Sequence, residues 1–242
     1  MNMGAGVDLF TRVLCMGAVA IGAMSGGQAS AGVLDSFIDK SALYITANKE
    51  PAQTCLNAPR IKTDIAILRP EITKQKPHNP KGHHTTTGEL QGLAHMFYGF
   101  EISFTLERIS SSEGYCVRIA EMTVISGQQT PKIWILPRLA EGSCMYNTTY
   151  EHEMQHVQNY HDHLARFEKS VREELPIILK GQAYYQISSI GESKRAEKLL
   201  EDEALAAVAA LHDRSYDKSA MKDEIMDSPS EYRRLSQVCS NR

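Results

Sequence analysis

The chain lacks an excess of positive charge. Its 26 Lys and Arg face 29 Asp and Glu, for a formal charge of −3 and a pI near 6.3. That excludes a broadly basic nucleic-acid binder. Beyond its N-terminal segment it lacks any apolar run long enough to cross a bilayer. It has no C-x-x-C pair, which argues against a cysteine-zinc site, and no internal repeat. What is present is ordinary for a folded protein: 42% hydrophobic and 23% charged residues in 242, a length that suits one domain better than two.

Residues 13–24, VLCMGAVAIGAM, are apolar, follow Arg12 and lead into a stretch of small residues. Ala29-Ser30-Ala31 matches an A-x-A cleavage site. The expectation is a secretory signal peptide over residues 1–31 and a single domain over residues 32–242. The mature protein is then periplasmic or secreted, with no membrane span after cleavage. Cys15 leaves with the signal, and Cys55, Cys116, Cys144 and Cys239 remain. An even number of cysteines in an exported chain implies two disulfides, with three pairings open.

The hydrophobic pattern changes once along the chain. IKTDIAIL (61–68) reads as a strand stopped by Pro70. Residues 73–89 form a long polar loop carrying His78, His83 and His84, read as solvated. Residues 93–108, YCVRIAEMTVIS (115–126) and KIWIL (132–136) read as strands of one antiparallel meander. After Pro137 the period becomes helical: Tyr150, Val157, Tyr160, Leu164, Phe167, Val171 and Leu175 recur on one stripe. Thr148 and Glu151 suit a capping box, and Pro176 and Gly181 interrupt the helix. A second helical stretch runs from about Ser193 to Met226 and closes at Pro229. The fold class is α+β, a small antiparallel sheet followed by two or three long packed helices.

Four of the nine histidines fall in YEHEMQHVQNYHDHL (150–164), and His152-Glu153-Met154-Gln155-His156 has HExxH spacing. Residues four apart share a helix face, so two imidazoles can reach one tetrahedral zinc ion. Glu153 is rotated about 100° from His152, beside the metal position, where it can act as general base. His163 lies about 10 Å further along the axis than His156, and His161 about 7.5 Å further and turned away, so neither serves as a third ligand. HExxHxxNxxD, ending at Asp162, resembles the metzincin consensus, in which the helix breaks at the Gly or Asn. The apolar stripe running on through Leu164, Phe167 and Val171 argues for an unbroken helix instead. The third ligand then comes from Glu203 on the second helix, placed like a gluzincin glutamate, or from IMDSPSEYRRLSQVC, which offers Asp227, Glu231 and Tyr232. Tyr232 is also a candidate catalytic residue.

CVRIAEMTVIS with KIWILP, Cys144 ahead of the HEMQH helix, and DSPSEYRR with Cys239 together resemble a bacterial family of secreted zinc-dependent proteases of a zincin-like kind. The resemblance covers roughly residues 95–240. It implies His152 and His156 as zinc ligands and Glu153 as the base. The expected activity is hydrolysis of peptide bonds in a peptide or protein substrate. Many members carry a histidine after the terminal aspartate, where this chain has Glu231 and Tyr232. The alternative is a non-catalytic exported binding protein on the same fold. The expected disulfides are Cys55–Cys116 and Cys144–Cys239. The second would place DSPSEY beside the motif helix.

Overall fold

A computed structural model of the chain describes residues 13–15, 53–75, 91–111, 114–180 and 183–240. Most of the expected signal segment, the loop at 76–90 with His78, His83 and His84, and Gly181 lie outside them. The described strands are β1 (Val13–Cys15), β2 (Arg60–Ile65), β3 (Glu71–Lys74), β4 (Gly92–His95), β5 (Phe100–Ser111), β6 (Gly114–Ser126), β7 (Lys132–Ile135) and β8 (Tyr184–Ile187). The helices are α1 (Cys144–Glu173), α2 (Leu175–Ile178), α3 (Ser193–Met226) and α4 (Pro229–Ser240). The class is α+β, as expected, but the single antiparallel sheet is corrected to two small mixed sheets.

In the first sheet the order is β1-β5-β6-β2, with β8 also on β6. β5 and β6 form the expected hairpin. The other edge of β6 is shared: its first residues pair antiparallel with β8, and Glu121–Ser126 pair in parallel with β2. The second sheet is β3-β7-β4, with β3 parallel and β4 antiparallel to β7. The run read as one strand over 93–108 breaks at residues 96–99, so its two halves join different sheets. A period-two pattern identifies which face is buried. It does not identify a strand's neighbour or direction. Gly127 ends β6 with φ +74°, and a Cβ there would meet the Ala66 carbonyl oxygen at 2.1 Å, so the chain can turn here only without a side chain. β1, inside the expected signal segment, lies antiparallel on Ile102–Phe104 of β5.

α1 is unbroken from Cys144 to Glu173. It begins earlier than the capping box at Thr148 suggested. Ser143 is the N-cap, and its side chain accepts from the Tyr146 N–H at 3.2 Å. Pro176, which has no N–H to donate, falls in the first turn of α2 just beyond the end of α1. The stripe residues Val157, Tyr160, Leu164, Phe167 and Val171 are all essentially inaccessible. Burying an apolar side chain of this size contributes about 1.5–3 kcal/mol. The C-terminal half of α1 packs with Ile102, Phe104, Ile119 and Met122 of the first sheet and with Leu200, Val208 and Leu211 of α3. Its N-terminal half packs through Val157 on Ile133 and Ile135 of the second sheet.

α3 runs antiparallel to α1 in a fixed register: Phe167 meets His212, the His163 carbonyl accepts from Ser215, Asn159 meets Ser219, and His156 meets Asp223. α3 closes just before Pro229, as expected, and α4 follows directly with Pro229 as its first residue. Both expected disulfides are present, Cys55–Cys116 and Cys144–Cys239. The second fastens α4, which has no buried residue, to the first turn of α1. Among the described residues no helix is long and apolar enough to cross a membrane.

Candidate metal centre

The antiparallel register carries two i,i+4 pairs past one another. α1 presents His152 and His156; the end of α3 presents Asp223 and Asp227. The residue before a proline disfavours helical backbone, so Ser228-Pro229 ends α3 and leaves Asp227 as its C-cap, facing α1. The two histidine Nε2 atoms lie 3.3 Å apart. Asp227 Oδ1 is 3.3 Å from His152 Nε2 and 3.2 Å from His156 Nε2. These three residues form a group able to hold a metal ion. Their spacing fits one: corners of a tetrahedron whose centre is about 2.0 Å from each ligand atom are about 3.3 Å apart.

Further groups fix His156 and Asp227, whereas His152 Nδ1 is buried without a hydrogen-bond partner. His156 Nδ1 lies 2.8 Å from Asp223 Oδ1, which also accepts from Asn159 Nδ2 at 2.8 Å. The Tyr232 hydroxyl donates to Asp227 Oδ1 at 2.8 Å, and its ring lies against His152 with centroids 5.6 Å apart. His152 and His156 are buried. Burial pushes the His156 pKa down, but its bonds to Asp223 and Asp227 outweigh that and raise it to about 10. Burial pushes Asp227 up, and its contacts with His152 and His156 outweigh that in turn, holding it well below the usual carboxylate range. The pocket therefore favours positive charge at the point where the three ligand atoms converge.

Glu153 is buried beside the triad. Its Oε2 accepts the Ala94 backbone N–H of β4 at 2.7 Å. Burial pushes its pKa up, against the pull of His152 and His156. Gly92 on the same strand permits the approach: a Cβ there would lie 2.5 Å from Thr149 Cγ2 and 2.7 Å from Glu153 Oε1.

Of the acids proposed as third ligand, Asp227 alone among the described residues joins the two histidines in one group, while Tyr232 reaches the site through Asp227. Glu203 accepts from the Tyr185 hydroxyl at 2.6 Å and lies 24 residues before Asp227 on the same helix, about 36 Å along its axis. The Glu231 carboxylate is held by Arg234, with Oε2 2.8 Å from its Nε. Asp162 stays on the outer side of the unbroken α1, bonded to Gln158 at 3.0 Å and near Lys222 at 3.4 Å. His161 Nε2 is 3.0 Å from the Leu68 carbonyl oxygen. His163 packs in the core against Tyr98, Phe167 and His212. Sequence reasoning missed Asp223, Asn159 and the Ala94 N–H. The signal for Asp223 was available: it stands four residues before Asp227, repeating the His152–His156 spacing on the opposite helix. No family model, curated protein or solved structure matches this chain.

Proposed function

We propose that the chain is an exported zinc-dependent peptidase. The observation that carries this reading is the convergence of His152 Nε2, His156 Nε2 and Asp227 Oδ1 at 3.2–3.3 Å, with the Glu153 carboxylate buried alongside. Two imidazoles and one carboxylate at tetrahedral spacing suit zinc better than the harder cations, which take six or more oxygens. A zinc ion held there supplies Lewis-acid polarisation of a carbonyl and acidifies water. The residues of the chain do the rest. Glu153, anchored through Oε2, takes a proton from water and returns it to the leaving amine. Tyr232 steadies Asp227 by its hydrogen bond and covers one face of His152.

A peptide substrate is supported by β4. The Leu136 N–H bonds to the Gln91 carbonyl at 2.9 Å, so Gly92 and Ala94 turn their main-chain groups away from β7, on the side of Glu153. A substrate chain that bound in extended form near Ala94 would lie beside Glu153. Export is supported by the N-terminal signal pattern and by two disulfides.

Metal analysis of the purified mature protein should find about one zinc per chain. Glu153→Gln should keep the zinc and lose about 10²–10⁴-fold in hydrolysis of an unstructured protein or mixed peptide library. His156→Ala should lose both. A Glu153→Gln protein as active as wild type overturns the mechanism. A wild type that binds zinc tightly and cleaves nothing supports the binding-protein alternative.

A further inference from the structure

The hydrogen bonds around His156 settle a question that ring positions alone leave open: which of its nitrogens carries the proton when the ring is neutral. Asn159 fixes the answer. Its Nδ2 lies 2.8 Å from the Ser219 carbonyl oxygen and 2.8 Å from Asp223 Oδ1. A main-chain carbonyl can only accept, so Nδ2 is the donor there, and the amide cannot be reversed without setting two acceptors against each other. Asn159 Oδ1 is left buried without a partner, so the amide keeps this orientation for what Nδ2 reaches. Asp223 Oδ1 therefore faces a true donor and is itself an acceptor. His156 Nδ1, 2.8 Å from the same oxygen, must then carry the hydrogen. In the neutral ring that leaves Nε2 as a bare lone pair.

That lone pair points at Asp227 Oδ1, 3.2 Å away, an oxygen that is also only an acceptor. His152 Nε2 closes the triangle at 3.3 Å from each. The two lone pairs, on His156 Nε2 and Asp227 Oδ1, repel at this separation unless a proton or a metal ion lies between them, and in the neutral ring the proton is on Nδ1. We infer that Asp223, clamped by Asn159, is the positioning residue that fixes the Nδ1–H tautomer of His156 and so makes the triad a receptor for a divalent cation. The inference rests on the proposed metal site and adds to it the groups that aim its ligand. It also gives the DxxxD spacing of α3 a division of labour. Asp227 is the ligand, and Asp223, one turn earlier, orients the histidine opposite. A carboxylate on the far nitrogen raises ligand basicity as well as fixing the ring, and its loss from such sites costs about 10–100-fold in metal affinity.

The test uses the full mature chain with both disulfides formed. Zinc affinity is measured by competition with a chromophoric chelator, and the ring of His156 is followed by long-range 1H–15N spectra of the zinc-loaded protein. Wild type should show a protected Nδ1–H on His156. Asp223→Leu, which has no acceptor, should bind zinc about 10–100-fold more weakly and lose that protected proton. Asp223→Asn keeps an acceptor oxygen and should retain the proton and most of the affinity, a rescue that loss of packing would not produce. Asn159→Ala should fall between the two. A wild-type spectrum with the proton on Nε2 overturns the assignment, even if no variant folds. Asp223→Leu with wild-type zinc affinity overturns the role of Asp223 while leaving the metal site intact. A wild type that takes up no zinc overturns the site and this inference with it.

Discussion

Asp227 carries two duties on one oxygen: it faces both histidines and accepts the Tyr232 hydroxyl. Asp227→Ala should therefore remove stoichiometric zinc, whereas Glu203→Ala and Glu231→Ala should keep it. The check is metal content after gel filtration, and zinc retained by Asp227→Ala would move the third ligand elsewhere. Gly92 separates position from composition at the same site. The three atoms nearest the Cβ of Gly92→Ala all belong to side chains, those of Thr149 and Glu153, so the substitution presses on Glu153 first and on β4 itself less. Zinc affinity should stay near wild type while hydrolysis falls, since displacing a catalytic group by about 1 Å costs on the order of 10²-fold. Equal losses in binding and rate would show that Gly92 serves the fold and not the base.

At the level of elements, α4 is held by its cysteine at one end and by Tyr232, on Asp227 and His152, at the other. It has no buried residue and packs on α1 near the disulfide, where Thr148 Oγ1 lies 3.5 Å from Cys239 Sγ. Cys144–Cys239 closes a span of 95 residues, and a loop of that length is worth up to about 4–5 kcal/mol in the chain-entropy model. Replacing both cysteines with serine should lower the melting temperature. It should also open α4 to limited proteolysis within residues 229–240, ahead of cleavage elsewhere. Because Tyr232 is on α4, the same variant should lose part of its zinc affinity. Uniform digestion with no early α4 cleavage would show that the helix docks without its tether.

For the whole molecule, stability should depend on pH from two sides. His163 is buried, and burial, with a smaller push from His212, lowers its pKa to about 4; burial lowers His212 too. The unfolded chain binds these protons near the ordinary histidine value of about 6.5. Stability from the neutral pair is thus complete above that pH and is lost as pH falls through the window towards 4, by up to about 1.4 kcal/mol per pH unit per group. His156 works in the opposite sense. Its pKa is raised to about 10 in the metal-free protein, so its share is complete below about 6.5 and lost as pH rises towards 10. A metal ion replaces that proton. The gap in melting temperature between zinc-loaded and chelator-treated protein should therefore widen between pH 6.5 and 9, and a gap that narrows would contradict the electrostatics of the site.

Local patterns made much of this legible in the chain. The HExxH spacing placed His152, Glu153 and His156 together because a helix repeats every 3.6 residues, and the apolar stripe through Val171 predicted the unbroken α1. The limits of α3 followed from composition and from Ser228-Pro229. Both disulfides were anticipated, although cysteine count alone allowed three pairings. Contacts between elements distant in the chain were decided only in three dimensions. The residues from Gly92 to Arg108 were split between two sheets, and β2 and β3 were set parallel to their neighbours, because period two encodes a face and not a partner. Asp227 emerged from four candidate acids, and Asp223 and Asn159 from none, because the register of α3 against α1 depends on how two apolar seams interlock over the full length of both helices. That register is a property of packing, and no single residue along the chain records it.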